Sequence, residues 1–301
     1  MNFPYREILL GREGFYIAYR QNNAFLLVSI FFIVINVIPS CKNKMRNMPH
    51  FTSSQIEQLK WIGLCSMVLD HIAVIYALPD LQWLRIIGRS AFLIFGFIVA
   101  VHLARGDGHI KKYAIRMLSW ALLSQLPYQW GFNDDMKLNI LFQFFAVIIY
   151  IAGWRLLSRK QVQEQFSGVG MIILAVMIAM FSDYHLYGFV YCLFCYLYVA
   201  YRPNALLGQV ICGFGLFVCA LALNAAIVVS YLQSDLFPLV IIAIGLPLLM
   251  LAFPMSWRTI EEGKQIIFQA RHTYFFYVFY PLHILLLYAG KMFLKHIDFI
   301  I

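Results

Sequence analysis

Asp70 and His71 stand side by side in an apolar run from Trp61 to Leu78 that carries no other charged or imidazole side chain. A carboxyl and an imidazole at membrane depth are costly to bury, so such a pair marks a candidate site for general acid–base chemistry. The competing reading is a pair of satisfied polar groups that hold helices together. Successive residues lie about 100° apart around a helix, so Asp70 and His71 do not face the same atom. One is expected to do chemistry while the other fixes packing, with Ser66 one turn before Asp70 and able to share its face. The next apolar run carries Gly88-Arg89-Ser90-Ala91-Phe92. Alone, Arg89 reads as a snorkelling anchor; beside an acid and an imidazole at similar depth it predicts an internal polar cluster. Gly88 and Ala91 are small enough to admit a neighbouring backbone there.

Three further places add polar groups. Asn139 opens a run at Leu138-Asn139-Ile140-Leu141-Phe142, and Asp183-Tyr184-His185 closes another ahead of Tyr187-Gly188. Taken singly, these are helix caps and interfacial aromatics. Tyr280-Pro281-Leu282-His283 puts a histidine about 15 Å into the last run, next to a proline expected to break the backbone ladder.

The elements that position these residues follow from composition. Hydrophobic residues make up 62% of the 301 and charged residues only 12%. Soluble domains carry about 25% charged residues, so this chain has too few to cover a water-exposed surface. The predicted fold is an all-α polytopic membrane protein, a single bundle of about ten transmembrane helices at about 20 residues per crossing. The runs lie near 24–40, 60–79, 86–104, 113–130, 139–157, 167–183, 186–201, 205–228, 236–254 and 273–291. The count falls to nine if the first run is removed as a signal or not translated because Met45 or Met48 is the start; a retained anchor is the preferred reading. Residues 1–50 then form an N-terminal extension and 51–301 the main membrane domain.

Loop charges orient the bundle. Alternating the loops puts Lys42, Lys44, Arg46, Lys60, Arg105, Lys111, Lys112, Arg116, Arg155, Arg159, Lys160, Arg202, Arg258, Lys264 and Arg271 on one side, which is assigned to the cytoplasm. Asp80, Asp134, Asp135, Asp183 and Asp235 fall in short loops on the other. The net charge of +9 is then mostly a topology signal, and nucleic-acid binding is not needed to explain it. No phosphate-binding loop, dinucleotide turn, serine elbow or paired-histidine zinc helix is present. Cys192-x-x-Cys195 lies in an apolar run without a second ligand pair and reads as small packing residues.

The order Lys60, Asp70-His71, Gly88-Arg89-Ser90-Ala91-Phe92, Phe95 resembles the opening signature of the TraX family, integral-membrane acetyltransferases of F-type conjugative pilin. Ser124-Gln125 before Pro127, Leu138-Asn139-Ile140-Leu141-Phe142, Asp183-Tyr184 and Tyr280-Pro281-Leu282-His283 resemble later family blocks, so the likeness covers about 58–290. Leu93 stands where the family often has proline, and the stretch from Tyr184 to Gly188 is looser than the family's Tyr-Gly pair. The resemblance implies an inner-membrane enzyme that moves an acetyl group from cytosolic acetyl-CoA to the N-terminus of a pilin-like or other exported protein, without a metal. It implies catalytic roles for His71, Asp70, Arg89 and His283, and acceptor contacts from Asn139, Asp183, Tyr184 and Tyr280. Lys111, Lys112, Arg116, Arg155 and Arg159 are the candidates for holding the donor's phosphates. Two other readings stand beside it: acetylation of an envelope glycan, and a proton-coupled transporter using the same ionisable residues as a relay. Transporters usually show matching halves, and no internal repeat is visible here.

Overall fold

The computed structural model describes residues 53–78, 81–105, 109–133, 136–201, 206–252 and 274–300. The first run, the extension 1–50, Asp80, Asp134, Asp135 and the basic residues Lys42, Lys44, Arg46, Arg202, Arg258, Lys264 and Arg271 lie outside them. The helices are α1 (Ser53–Ile75), α2 (Gln82–Ala104), α3 (Ile110–Phe132), α4 (Ile140–Leu157), α5 (Val162–Phe181), α6 (His185–Tyr201), α7 (Leu206–Leu223), α8 (Ala225–Tyr231), α9 (Phe237–Ala252) and α10 (Phe275–Ile300). Among the described residues there is no β-strand; a single backbone bridge joins Leu138 to Ser182.

Every predicted run within the described residues falls on helix, but not every one has the length and apolarity of a crossing. Five helices do: α1, α2, α4, α5 and α10; a bent pair formed by Gly213–Leu223 and Ala225–Tyr231, 67° apart, brings the number to six. The α6 and α9 helices are apolar but short. α3 is long enough, yet it carries Lys111, Lys112, Arg116, Gln125 and Gln129 and so has lower hydropathy. The chain is a helical membrane protein, and among the described residues five or six of the ten expected crossings have the length and apolarity of one. Two boundaries also differ. α1 begins at Ser53 rather than 60, its first turns held by a Lys60–Glu57 ion pair at 2.5 Å. α10 runs without interruption through Pro281, which the sequence reading expected to break it.

α2 is the central element. It packs on α1, α6 and α9, and its apolar side chains from Phe92 to Leu103 are buried nearly throughout. α4 is the second buried helix, lying against α3 and α5. By contrast α5 exposes Phe166, Ile173, Leu174, Met177 and Phe181, and α10 exposes Leu282, Leu286 and Phe293, faces suited to lipid. The α4–α5 crossing is very close: a Cβ at Gly153 would lie 2.7 Å from the Gly168 carbonyl oxygen, so only glycine fits.

Candidate functional site

His71 on α1 and His283 on α10 meet across the bundle. His71 Nδ1 and His283 Nε2 are 2.7 Å apart, and the two rings are nearly parallel at 7°. His283 Nδ1 lies 2.8 Å from the Phe279 carbonyl oxygen, one turn back on α10. Phe132 of α3 packs edge-on against the His71 ring at 4.9 Å between centroids.

Asp70 faces elsewhere, as the helical angle requires. Its Oδ1 lies 3.7 Å from Arg85 and 3.8 Å from Arg89, both on α2, so the acid ties α1 to α2 while His71 reaches α10. The helices approach so closely here that a Cβ on Gly88 would overlap the Cβ of Asp70. Ser90 Oγ donates to Ser66 Oγ at 2.9 Å in the same interface, on the face the sequence assigned to Ser66. Asp183 is a second carboxyl close enough to act on both arginines, so the cluster holds two guanidiniums and two acids.

A cavity of about 650 Å³ is lined in part by α1 and α10, the helices that carry the histidines, although His71 and His283 are not among its lining residues. On α1 its lining residues are Glu57, Lys60, Leu64 and Met67, spaced as one helical stripe on which His71 is the next position. On α10 they are Phe276, Tyr277 and Tyr280, and His283 is again the next residue on that stripe. Tyr280 stands between the two regions: it lines the cavity, and its ring is 6.4 Å from that of His71 and 5.9 Å from that of His283. The other end is polar and basic, with Lys60, Lys112 and Arg116 beside His102 and His109. Arg116 lies over Tyr113 at 5.7 Å and Tyr277 at 5.5 Å. Glu57 Oε2 and Arg116 Nε are buried in this lining without a hydrogen-bond partner.

The remaining predicted site residues separate by environment. Lys112 and Arg116 line the cavity; Lys111, Arg155 and Arg159 do not. Arg155 donates to the Leu103 carbonyl at 3.0 Å and to the Tyr196 hydroxyl at 3.3 Å, and Arg159 pairs with Glu164 at 2.6 Å. Asn139 is fully buried and caps α4, its Oδ1 accepting from the Leu141 N–H at 3.0 Å. Its Nδ2 donates to the Ala121 carbonyl at 2.8 Å and to Gln125 Oε1 at 2.9 Å, which staples α4 to α3. Both of its amide hydrogens and its oxygen are engaged locally, so Asn139→Ala is expected to cost about 2–3 kcal/mol, from a lost cap and lost buried bonds. Thermal unfolding in detergent should register that loss, with affinity for cavity ligands unchanged.

Asp183, in the α5–α6 turn, is hydrogen-bonded by Tyr128; burial pushes its carboxyl up, and the charges of Lys137 and Arg89 oppose this. The turn is fastened by the Leu138 N–H donating to the Phe181 carbonyl at 2.8 Å and the Asp183 N–H donating to the Leu138 carbonyl at 3.0 Å. Tyr184 stacks on Phe92 with centroids 4.0 Å apart. Cys192 and Cys195 are buried in α6.

Glu57, Lys60, Arg85 and Tyr277 were not among the predicted site residues. The α1 stripe at 57, 60, 64, 67 and 71 held the signal for the first two, and the i,i+4 spacing of Arg85 and Arg89 for the third.

A bundle of apolar helices holding charged pairs, paired imidazoles and a cavity between them defines a polytopic membrane protein with an internal polar site. The TraX protein family model matches residues 55–289, and the chain belongs to that family. The probable fimbrial assembly protein FimC, serogroup H1, of Dichelobacter nodosus is 26% identical over 248 residues, covering 79% of this chain and 96% of that protein. Protein TraX of Escherichia coli is 33% identical over 105 residues, and protein TraX of Escherichia coli strain K12 is 35% identical over 105 residues. Each of these matches spans 35% of this chain and 41% of the relative. No solved structure matches the chain.

Proposed function

We propose that this protein is an inner-membrane acetyltransferase that takes the acetyl group of cytosolic acetyl-CoA and passes it to the N-terminal amine of a pilin-like exported protein. The observation that supports the reading is that the α1 and α10 stripes lining the cavity stop at Met67 and Tyr280, one position short of the histidine pair on each helix. The names of two relatives, a fimbrial assembly protein and TraX, point to a role connected with pilins.

The cavity suits a CoA thioester in three respects. Its volume of about 650 Å³ is that of a small-molecule site. From Lys60 to His71 is about 16 Å along α1, a distance an extended pantetheine arm can cover. Its basic end offers Lys112 and Arg116 to phosphates, while the buried acceptor at Glu57 Oε2 and donor at Arg116 Nε match the N–H and C=O of pantetheine amides. The positive-inside pattern puts that end on the cytosolic side, where acetyl-CoA is made.

The chemistry is a thioester aminolysis. The neutral acceptor amine attacks the acetyl carbonyl carbon, its proton passes to the histidine pair, the C–S bond breaks, and the CoA thiolate recovers the proton. The guanidiniums of Arg85 and Arg89 are the groups that would stabilise the developing oxyanion.

Replacing Lys112 and Arg116 together by glutamine is expected to raise the acetyl-CoA KM at least tenfold, since a hydrogen bond to a charged group contributes about 1.5–3 kcal/mol. Arg159→Gln should leave it unchanged, because Arg159 is engaged by Glu164 away from the cavity. Steady-state CoA release by the purified variants tests both; an unchanged KM in the double variant would move donor binding out of this cavity.

A further inference from the structure

We infer that His71 Nε2 is the base of the reaction and that His283 is a positioning residue, which fixes the tautomer of His71 and shares its charge. This rests on the acetyl-transfer reading and assigns the roles within it.

The assignment follows from which atoms can only accept. The Phe279 carbonyl has no proton to give, so the hydrogen in its 2.8 Å contact with His283 Nδ1 belongs to the imidazole. With Nδ1 protonated, neutral His283 has a lone pair at Nε2. That nitrogen is 2.7 Å from His71 Nδ1, so His71 is the donor in this contact and carries its proton on Nδ1. Neutral His71 therefore has its lone pair on Nε2, which makes no hydrogen bond among the described residues. One backbone carbonyl sets the protonation of both rings in sequence. Both nitrogens of His283 are engaged, and only Nε2 of His71 is left to take a proton.

The usual orienting group behind a catalytic imidazole is a carboxylate. Asp70 is adjacent in sequence, but it is committed to Arg85 and Arg89 across the α1–α2 interface. A neutral imidazole performs the same orienting task without placing a second net charge in an apolar interior, where a lone charge is expensive. When His71 Nε2 accepts the amine proton, its Nδ1–H still points at His283 Nε2, so the positive charge is spread over two rings. When the thiolate takes the proton back, the pair returns to its starting tautomers, and no external acid or base is consumed.

The test uses the full chain in lipid bilayers with [15N]histidine, reading the imidazole nitrogens by solid-state NMR at a pH where both rings are neutral. His71 signals are assigned by their loss in His71→Gln. The expected result is a protonated Nδ1 and an unprotonated Nε2 on His71. In His283→Leu, which cannot accept, His71 is expected to lose this preference and kcat to fall by about 10²-fold or more. In His283→Gln, whose side-chain oxygen sits near the position of Nε2 and can accept from Nδ1–H, the tautomer should be retained and kcat should stay within about tenfold of wild type. A wild-type His71 protonated on Nε2 would overturn the assignment. So would a His283→Gln variant that keeps the tautomer but is as inactive as His283→Leu, since His283 would then be acting as a base. The tautomer is read without turnover, so a failure here is distinguishable from a failure of acetyl transfer itself.

Discussion

His71→Ala is expected to lower acetyl transfer by about 10²–10⁴-fold, the contribution of a positioned general base, while the protein still inserts and folds. The change removes the one nitrogen of the pair that is available to take the acceptor's proton. It leaves His283 Nε2 without its donor, a cost of about 1–3 kcal/mol, partly offset because a polar ring no longer has to be buried. The structural penalty is therefore small beside the chemical one. Acetyl-CoA KM should change little, because His71 lies beyond the residues that line the cavity. Parallel assays of CoA release and of thermal stability separate the two effects; near-wild-type turnover in this variant would remove His71 from the mechanism.

Gly88→Val should have the largest effect on stability. A Cβ at this position overlaps Asp70, and the overlap involves the Asp70 backbone and inner side chain rather than a flexible tip. α1 and α2 would have to separate at the level where Asp70 pairs with Arg85 and Arg89 and where Ser90 donates to Ser66. Overpacking alone costs about 1–3 kcal/mol, and loosening the partly buried Asp70 ion pairs adds to it. Gly88→Val is expected to give little folded protein in detergent, and Gly88→Ala a lower unfolding temperature. Wild-type stability in both would mean that the close approach is not required.

Much of the site was legible in residue types, less in their partners. Asp70, His71, Arg89 and His283 stand out because ionisable groups in apolar runs are rare, and a single sequence shows that directly. Their pairing was not legible. His71 sits beside an acid in the chain, yet the helical turn sends Asp70 toward α2, and the true partner of the ring is His283, 212 residues away. Asn139 carried two readings, cap and ligand contact; its hydrogen bonds display the cap and add an α3 staple that the sequence did not announce.

The basic residues illustrate the same limit. Lys111 and Lys112 are equivalent as topology signals, but only Lys112 shares the α3 face with Tyr113 and Arg116 that borders the cavity. Arg155, a candidate phosphate ligand by position, has its guanidinium on the Leu103 carbonyl, a contact that the sequence does not announce. The helices themselves followed from hydropathy wherever runs were long and apolar. α3 shows why helix and crossing are separate inferences: its polar residues, among them Lys112 and Arg116 at the cavity, lower the very hydropathy by which a span is recognised.

The most direct test of the whole account is transfer of radiolabelled acetyl from acetyl-CoA to a synthetic pilin N-terminal peptide by the purified full-length protein in lipid vesicles, with His71→Ala assayed alongside. The account predicts label on the peptide's α-amine with stoichiometric CoA release from the wild type, and background label from the variant. Label from the wild type no higher than from protein-free vesicles, or equal label from both proteins, would contradict it.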